Sequence, residues 1–249
     1  MATIETGKQF QKIVEEIKKD QNVLAFWIDG ARGKGMETEN SDYDARMIVK
    51  DNVVNQYKEK YGSKKNPEIE ISIMTFDELK EHAKYGSEMS WDRYNFAHLK
   101  VMFDRTGEIQ VIIDSKSMLS KKDQDLIIKD VLGAFINQVY RLEKNARDGN
   151  LIAAKFDAIE AIPFLLEAIF ALEGNVRPYN KYLVWELDNY PLEKFPWKRG
   201  ELVSNLTSVI DGGQLHKLLD ILLTIRPIFK DEGYSEEFDE WKGYYKVGE

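Results

Sequence analysis

The chemistry in this chain is concentrated between Leu24 and Val49, which read Leu-Ala-Phe-Trp-Ile-Asp-Gly-Ala-Arg-Gly-Lys-Gly-Met-Glu-Thr-Glu-Asn-Ser-Asp-Tyr-Asp-Ala-Arg-Met-Ile-Val. An apolar run ends in a glycine-rich basic turn, and a polar loop then leads to Asp42 and Asp44 at the mouth of a second apolar run. On a strand, residues i and i+2 project to one face, so the two carboxylates are expected side by side. Carboxylates that close repel each other unless a cation lies between them. Hard oxygen ligands suit Mg²⁺, which takes one or two carboxylates and completes its shell with substrate phosphates. The adjoining glycine turn, Gly30 to Gly35, can bring backbone N–H groups against a phosphate chain. These are the parts of a nucleotide-dependent phosphoryl-transfer site. An Asp-x-Asp alone is common on exposed loops; the preceding strand, turn and spacing give it this meaning.

The stretch resembles the signature of the DNA polymerase β-like nucleotidyltransferases. Gly30 and Gly35 match the glycines of that pattern, and Ser41-Asp42-Tyr43-Asp44 matches its Ser-Asp-x-Asp element. One departure is plain: Ala31 stands where a serine hydroxyl helps to hold the nucleotide phosphates. The resemblance implies that Gly30, Ala31, Arg32 and Ser41 line the nucleotide, with Lys34 as a compensating cation. It implies Asp42 and Asp44 as ligands for two Mg²⁺ ions, and a third carboxylate on a neighbouring strand. Glu70 is the choice for that third position and Glu68 the alternative, because Glu68-Ile-Glu-Ile-Ser-Ile-Met74 alternates strictly, with Ile69, Ile71 and Ile73 on the other face. In such enzymes an acidic residue here can also serve as general base on an acceptor hydroxyl.

Positioning these residues requires a strand over Val23 to Ile28, another leaving the aspartates over Ala45 to Val49, and a third near 68–74. An amphipathic helix over 6–20 carries Phe10, Ile13, Val14 and Ile17 on one face. A short helix is expected over Val53 to Tyr61, and another after Thr75, which with Glu78 forms a capping-box pattern. Leu99 to Phe103 and Ile109 to Ile113 flank the turn Asp104 to Gly107 and read as strand or extended segments. Trp91, Arg93 and Tyr94 form an aromatic-basic patch that can line a cleft or pack a core. After about residue 120 the period becomes helical: Lys122 to Arg147, Leu151 to Glu173 with Pro163 as a kink, then Lys181 to Leu187, Lys198 to Ile210 and Gln214 to Phe229. The fold class is therefore α+β: a polymerase β-like nucleotidyltransferase domain with a mixed sheet over 1–120, then an all-α helical bundle over 121–249.

In the helical half, Asp157, Glu160 and Glu167 share a helix face. Resemblance to small-molecule nucleotidyltransferases of the aminoglycoside and lincosamide type implies Asp157 and Glu160 as contacts for an amino-sugar acceptor. It likewise implies that Lys181, supported by Arg177, reaches the triphosphate. The wet face of an amphipathic helix and a solvated turn lysine are the plain alternatives.

Composition bounds the rest. The chain has 249 residues, 43% hydrophobic and 31% charged, in keeping with a soluble globular protein. No apolar run approaches the roughly 20 residues that span a bilayer, and the charged N-terminus does not read as a signal peptide. Zero cysteines exclude disulfides and thiolate metal sites, and a cytoplasmic location is expected. His82, His98 and His216 have no metal-ligand spacing and read as ordinary surface or core residues. The net charge of −8, with only the short Lys64-Lys65 and Lys121-Lys122 pairs against it, argues against a long polyanionic partner. The expected activity is transfer of NMP from an NTP, with ATP first, to a hydroxyl of a small molecule, antibiotic modification being the best-known role of such enzymes. A toxin-like transferase acting on tRNA or protein and a non-catalytic nucleotide-binding protein are the other readings.

Overall fold

The computed structural model describes residues 4–62, 66–212 and 214–241. Lys64 and Lys65 lie outside the described residues. The chain folds as two compact units, Met1–Met118 and Leu119–Glu249.

The first unit is built on a four-stranded mixed sheet ordered β3-β2-β1-β4. Its strands are β1 (Val23–Ile28), β2 (Tyr43–Val49), β3 (Ile69–Thr75) and β4 (Phe103–Asp104). β1 runs antiparallel to β2 and β4, whereas β2 and β3 are parallel. A parallel pair needs a crossover, and α3 (Val54–Tyr61) supplies it. One face of the sheet is uniformly apolar. There Phe10, Val14 and Ile17 of α1 (Ile4–Lys19) and Tyr57 and Tyr61 of α3 meet Phe26, Ala45, Met47, Val49, Ile69, Ile71 and Ile73. The other face is divided along the strands. Ala25, Ile48 and Met74 are covered by Leu79 of α4 (Phe76–Glu81), Phe96 of a 3₁₀ segment (Ser90–Phe96), and Ile109 and Ile113 of α5 (Ile109–Ser117). Beyond them the same face becomes polar, carrying Asp44, Arg46, Glu70 and Ser72 in register. The alternation that buries one face of β2 and β3 thus leaves half of the opposite face for chemistry.

Two segments differ from the sequence expectation. Residues 109–117 form a helix, and the expected strand over 99–103 shrinks to the two-residue β4. Short apolar runs do not separate strand from helix by period; here Ile109, Ile112 and Ile113 have helical spacing while Val111 points to solvent. Asp104 makes the switch, its carboxylate accepting hydrogen bonds from the backbone N–H groups of Thr106, Gly107 and Ile109 at 2.8–3.0 Å. The expected capping box at Thr75 forms, with Glu78 N donating to Thr75 Oγ1 at 3.1 Å and Thr75 N to Glu78 Oε2 at 2.7 Å.

The second unit is helical. α6 (Lys121–Arg147) and α7 (Leu151–Leu172) form a hairpin around Gly149, whose φ of +79° suits the tight reversal. α7 runs on through Pro163. A 3₁₀ turn (Asn180–Tyr182) leads into α8 (Leu183–Asn189), followed by α9 (Glu201–Ile210), α10 (Lys217–Asp231) and α11 (Ser235–Asp239). The core joins Leu132, Phe135 and Val139 of α6 to Leu165 and Ile169 of α7, Leu206 of α9, and Ile225 and Phe229 of α10. α9 and α10 each start about three residues later than the periodicity suggests, and α11 is too short to leave a periodic trace. Among the described residues no helix is long and apolar enough to cross a membrane.

Candidate functional site

β1 ends in a turn that only glycine can build. The short helix α2 (Gly30–Gly33) follows directly, and a Cβ on Gly33 would lie 2.1 Å from the Ile28 carbonyl oxygen. Gly30 has φ +59°, and a Cβ there would stand 2.7 Å from Asp44 Oδ2. The turn and the second aspartate of the Asp-x-Asp element are therefore in contact, and the missing side chain is what lets them touch. The Asp29 N–H donates to the Asp44 carbonyl at 2.8 Å, carrying the β1–β2 ladder up to this point.

Asp44 stands opposite Glu70 in the parallel β2–β3 register. Asp44 is half-buried and Glu70 is exposed. Both line a cleft of about 360 Å³, whose other walls include Gly30, Arg46, Ser72, Met74, His82, Met89, Trp91, Asp92 and Asn95. Glu68, the alternative third carboxylate, turns the other way: its carboxylate accepts the Thr6 hydroxyl of α1, on the opposite side of the sheet. Among the described residues no group of three or more His, Asp or Glu side chains forms a metal cage. Asp44 and Glu70 nonetheless make a facing pair of hard ligands of the kind Mg²⁺ uses when phosphates complete its shell.

The other expected nucleotide residues are placed as follows. Asp42 is exposed in the loop just before β2 and does not line the cleft. Arg32 reaches that loop, its Nε donating to the Asp42 carbonyl at 2.9 Å and its Nη2 to the Ser41 carbonyl at 2.8 Å. The guanidinium also lies over the Tyr43 ring, 4.0 Å from its centroid. Ser41 is buried and its Oγ accepts from the Thr38 N–H at 2.9 Å, which shapes the loop. Ala31 is buried. Lys34 is buried too, its Nζ donating to the carbonyls of Tyr94, Asn95 and Ala97, so it does not stand in for the absent serine.

Beneath the carboxylate pair lies a buried ionic cluster that periodicity does not single out. Arg46 donates from Nε to Asp29 and from Nη2 to Asp92 Oδ2, the latter at 2.8 Å. Trp27 Nε1 donates to Asp29 Oδ1 at 2.8 Å. Asp92 is also bonded to His82 Nε2 and Asn95 Nδ2. Burial pushes the Asp29 carboxyl above its ordinary range, although Arg46 pulls against it. Burial raises Asp92 as well, but there His82, Arg46 and Asn95 together prevail and hold it below the usual carboxylate value. Arg46 lies over the Phe96 ring at 4.4 Å, and its Nη1 has no hydrogen-bond partner among the described residues. A signal for the cluster exists in the sequence: Arg46 interrupts the apolar run of β2 and Asp29 follows directly on that of β1, and a charge buried there without a partner is costly. His82 joins this cluster through its bond to Asp92. Of the aromatic-basic patch, Trp91 lines the cleft, whereas Arg93 and Tyr94 are buried and Arg93 binds the Lys116 and Met118 carbonyls.

The expected residues of the second unit have local environments of their own. Asp157 is buried, accepting from Asn145 Nδ2 at 2.6 Å with Arg141 Nε at 3.4 Å. Glu160 is exposed and accepts from Gln138 Nε2 at 2.8 Å. Both carboxylates bind α6, so they tie the α6–α7 hairpin together. Lys181 is exposed within the 3₁₀ turn, its Nζ 5.3 Å from the Tyr182 ring centroid. Arg177 hydrogen-bonds Asn180 at 3.1 Å and lies 3.9 Å from Glu167.

No protein-family model and no curated protein matches the chain. A solved structure of a nucleotidyltransferase-like protein from Exiguobacterium sibiricum 255-15 is similar over 94% of this chain and 86% of its own, with 12% identity and a TM-score of 0.39. A likeness that distant leaves the function to be argued from the side chains.

Proposed function

We propose that this chain is a Mg²⁺-dependent nucleotidyltransferase that moves NMP from an NTP, ATP first, to a hydroxyl of a small-molecule acceptor. The observation that carries the reading is the contact between the Gly30 turn and the Asp44 carboxylate, with Glu70 opposite in register. A phosphate chain lying on that turn would meet the carboxylates directly. Asp44 and Glu70 would hold Mg²⁺, which would neutralise developing charge on phosphate oxygens; Asp42 stands outside the cleft, in the loop before β2. The residues of the chain then do four things. Gly30 leaves room for phosphate and carboxylate together. Arg32 fixes the loop that carries Asp42. Glu70 accepts the proton of the acceptor hydroxyl as its oxygen bonds to the α-phosphorus and the bond to pyrophosphate breaks. The ionic cluster under Asp44 holds β1, β2 and the 90–96 segment in one geometry, so little reorganisation accompanies the reaction.

Calorimetry of ATP binding with and without Mg²⁺ tests this, using wild type, Asp42→Ala and Asp44→Ala. The expected result is Mg²⁺-dependent binding that collapses in Asp44→Ala, with pyrophosphate release once a hydroxyl acceptor is supplied. A folded wild type that binds no NTP refutes it. A second reading, a nucleotide-binding protein without turnover, draws on the engagement of Arg32 and Lys34 by backbone carbonyls. It predicts retained ATP binding and no pyrophosphate release with any acceptor.

A further inference from the structure

We propose that α7 pairs with α7 of a second copy of this chain, parallel and in register, through Ile152, Phe156, Ile159 and Pro163. The helix places its small side chains inward and its large apolar ones outward. Ala154, Ala158 and Ala161 are fully buried, whereas Ile152, Phe156 and Ile159 are 73%, 65% and 49% exposed. Pro163 is exposed on the same line. The steps between these four are four, three and four residues, the spacing of the apolar seam in a coiled coil. An isolated apolar residue on a surface is ordinary, but a contiguous apolar row marks a contact surface.

Charge names the occupant and its direction. Lys155 and Glu160 are both exposed. At 3.6 residues per turn, Lys155 lies about 70° to one side of the seam's midline and Glu160 about 70° to the other. Two such helices packed in parallel set Lys155 of each beside the partner's Glu160, five residues further on, which is the flanking pair that fixes orientation in coiled coils. Packed antiparallel, Lys155 would stand beside the partner's Lys155 and Glu160 beside the partner's Glu160. The face is therefore complementary to itself, and only in the parallel sense. Glu160 accepts one hydrogen bond from Gln138 at 2.8 Å; this steadies the carboxylate and leaves it lone pairs for an ammonium. A seam of about three turns is short, so the association is weak, in the micromolar range or above.

Sedimentation equilibrium of the full chain from about 1 to 300 µM tests this, the range in which a weak specific contact is read. The mass is expected to rise from that of one chain towards twice that value. Phe156→Glu, at an exposed position, should keep the wild-type circular dichroism and stay monomeric throughout. Lys155→Glu replaces two attractions by two repulsions in the parallel pair and should weaken association at least about tenfold. Lys155→Glu/Glu160→Lys should restore it. The chain has no cysteine, so Ile152→Cys supplies a single thiol, and oxidation should link two copies through it. A parallel pair brings the two positions within disulfide reach, whereas an antiparallel pair centred between Phe156 and Ile159 holds them about 16 Å apart along the axis. A wild type that is monomeric at every concentration overturns the proposal, and is the outcome if a segment of the same chain or another protein covers the seam. A dimer indifferent to Phe156→Glu, one not weakened by Lys155→Glu, or an Ile152→Cys protein that does not cross-link overturns it as well.

Discussion

Replacing Gly30 by alanine separates the two demands placed on that residue. The first is backbone: φ is +59°, and an L-residue there costs about 1–2 kcal/mol. Alanine recovers roughly 0.4–1 kcal/mol by restricting the unfolded chain, so the net loss of stability from conformation alone is about 1 kcal/mol. The second demand is space. The new Cβ would start 2.7 Å from Asp44 Oδ2, and ordinary contact begins at 3.4 Å, so the carboxylate must retreat by roughly 0.7 Å. Displacement of a reacting or ligating group on that scale costs up to about a hundredfold in rate, and a tenfold loss of Mg²⁺·ATP affinity corresponds to about 1.4 kcal/mol. Gly149, in the α6–α7 turn, is the control: it has φ +79° with nothing within 4 Å of a Cβ, so Gly149→Ala carries the backbone cost without the contact. Urea unfolding should show similar destabilisation for both variants. Calorimetry should show at least about a tenfold weaker Mg²⁺·ATP affinity for Gly30→Ala alone. Equal affinities in the two variants would refute the argument that Gly30 exists to let the turn reach Asp44.

Two further outcomes are expected. Burial, with help from the neighbouring Arg93 and Lys84 charges, lowers the Lys116 amine from 10.5 to about 8. The unfolded chain therefore binds a proton through that window which the folded protein does not, so this group's contribution to stability is full above 10.5 and is lost as pH falls through about 8. Wild-type urea midpoints should accordingly rise between pH 8 and 10 relative to those of Lys116→Met, and parallel profiles would remove the amine as the cause. Asp157→Ala should lower the thermal stability by about 1–3 kcal/mol through loss of its charge-assisted bonds to α6; unchanged stability with weakened acceptor binding would instead make Asp157 a ligand contact.

The residue types between Leu24 and Val49 are enough to write down β1, the glycine turn and β2, but the expected pairing of Asp42 with Asp44 does not follow from them: β2 begins at Tyr43, and Asp42 lies in the loop outside the cleft that Asp44 lines. Strict alternation is enough for β3, and the change of period near residue 120 for the helical second unit. These features are local: propensity, spacing and one strand's alternation decide them. What alternation cannot decide is the neighbour. It puts Glu68 and Glu70 on one face, yet Glu68 lies just outside β3 and is drawn to Thr6, while the parallel register sets Glu70 against Asp44. It cannot tell a strand from a helix over 109–113, where the Asp104 carboxylate and the packing of Ile109 and Ile113 make the choice. Nor does it foresee that Lys34 and Asp157 are consumed internally, or that Asp29, Arg46 and Asp92 meet. Asp92 is 46 residues from Arg46 in the chain, and the pair exists only because the 3₁₀ segment folds back over the polar half of the sheet. Local order along the chain settles which side chains each element offers. Packing settles which of them remain for a ligand, because a buried charge takes whatever partner the fold brings within reach before any ligand arrives.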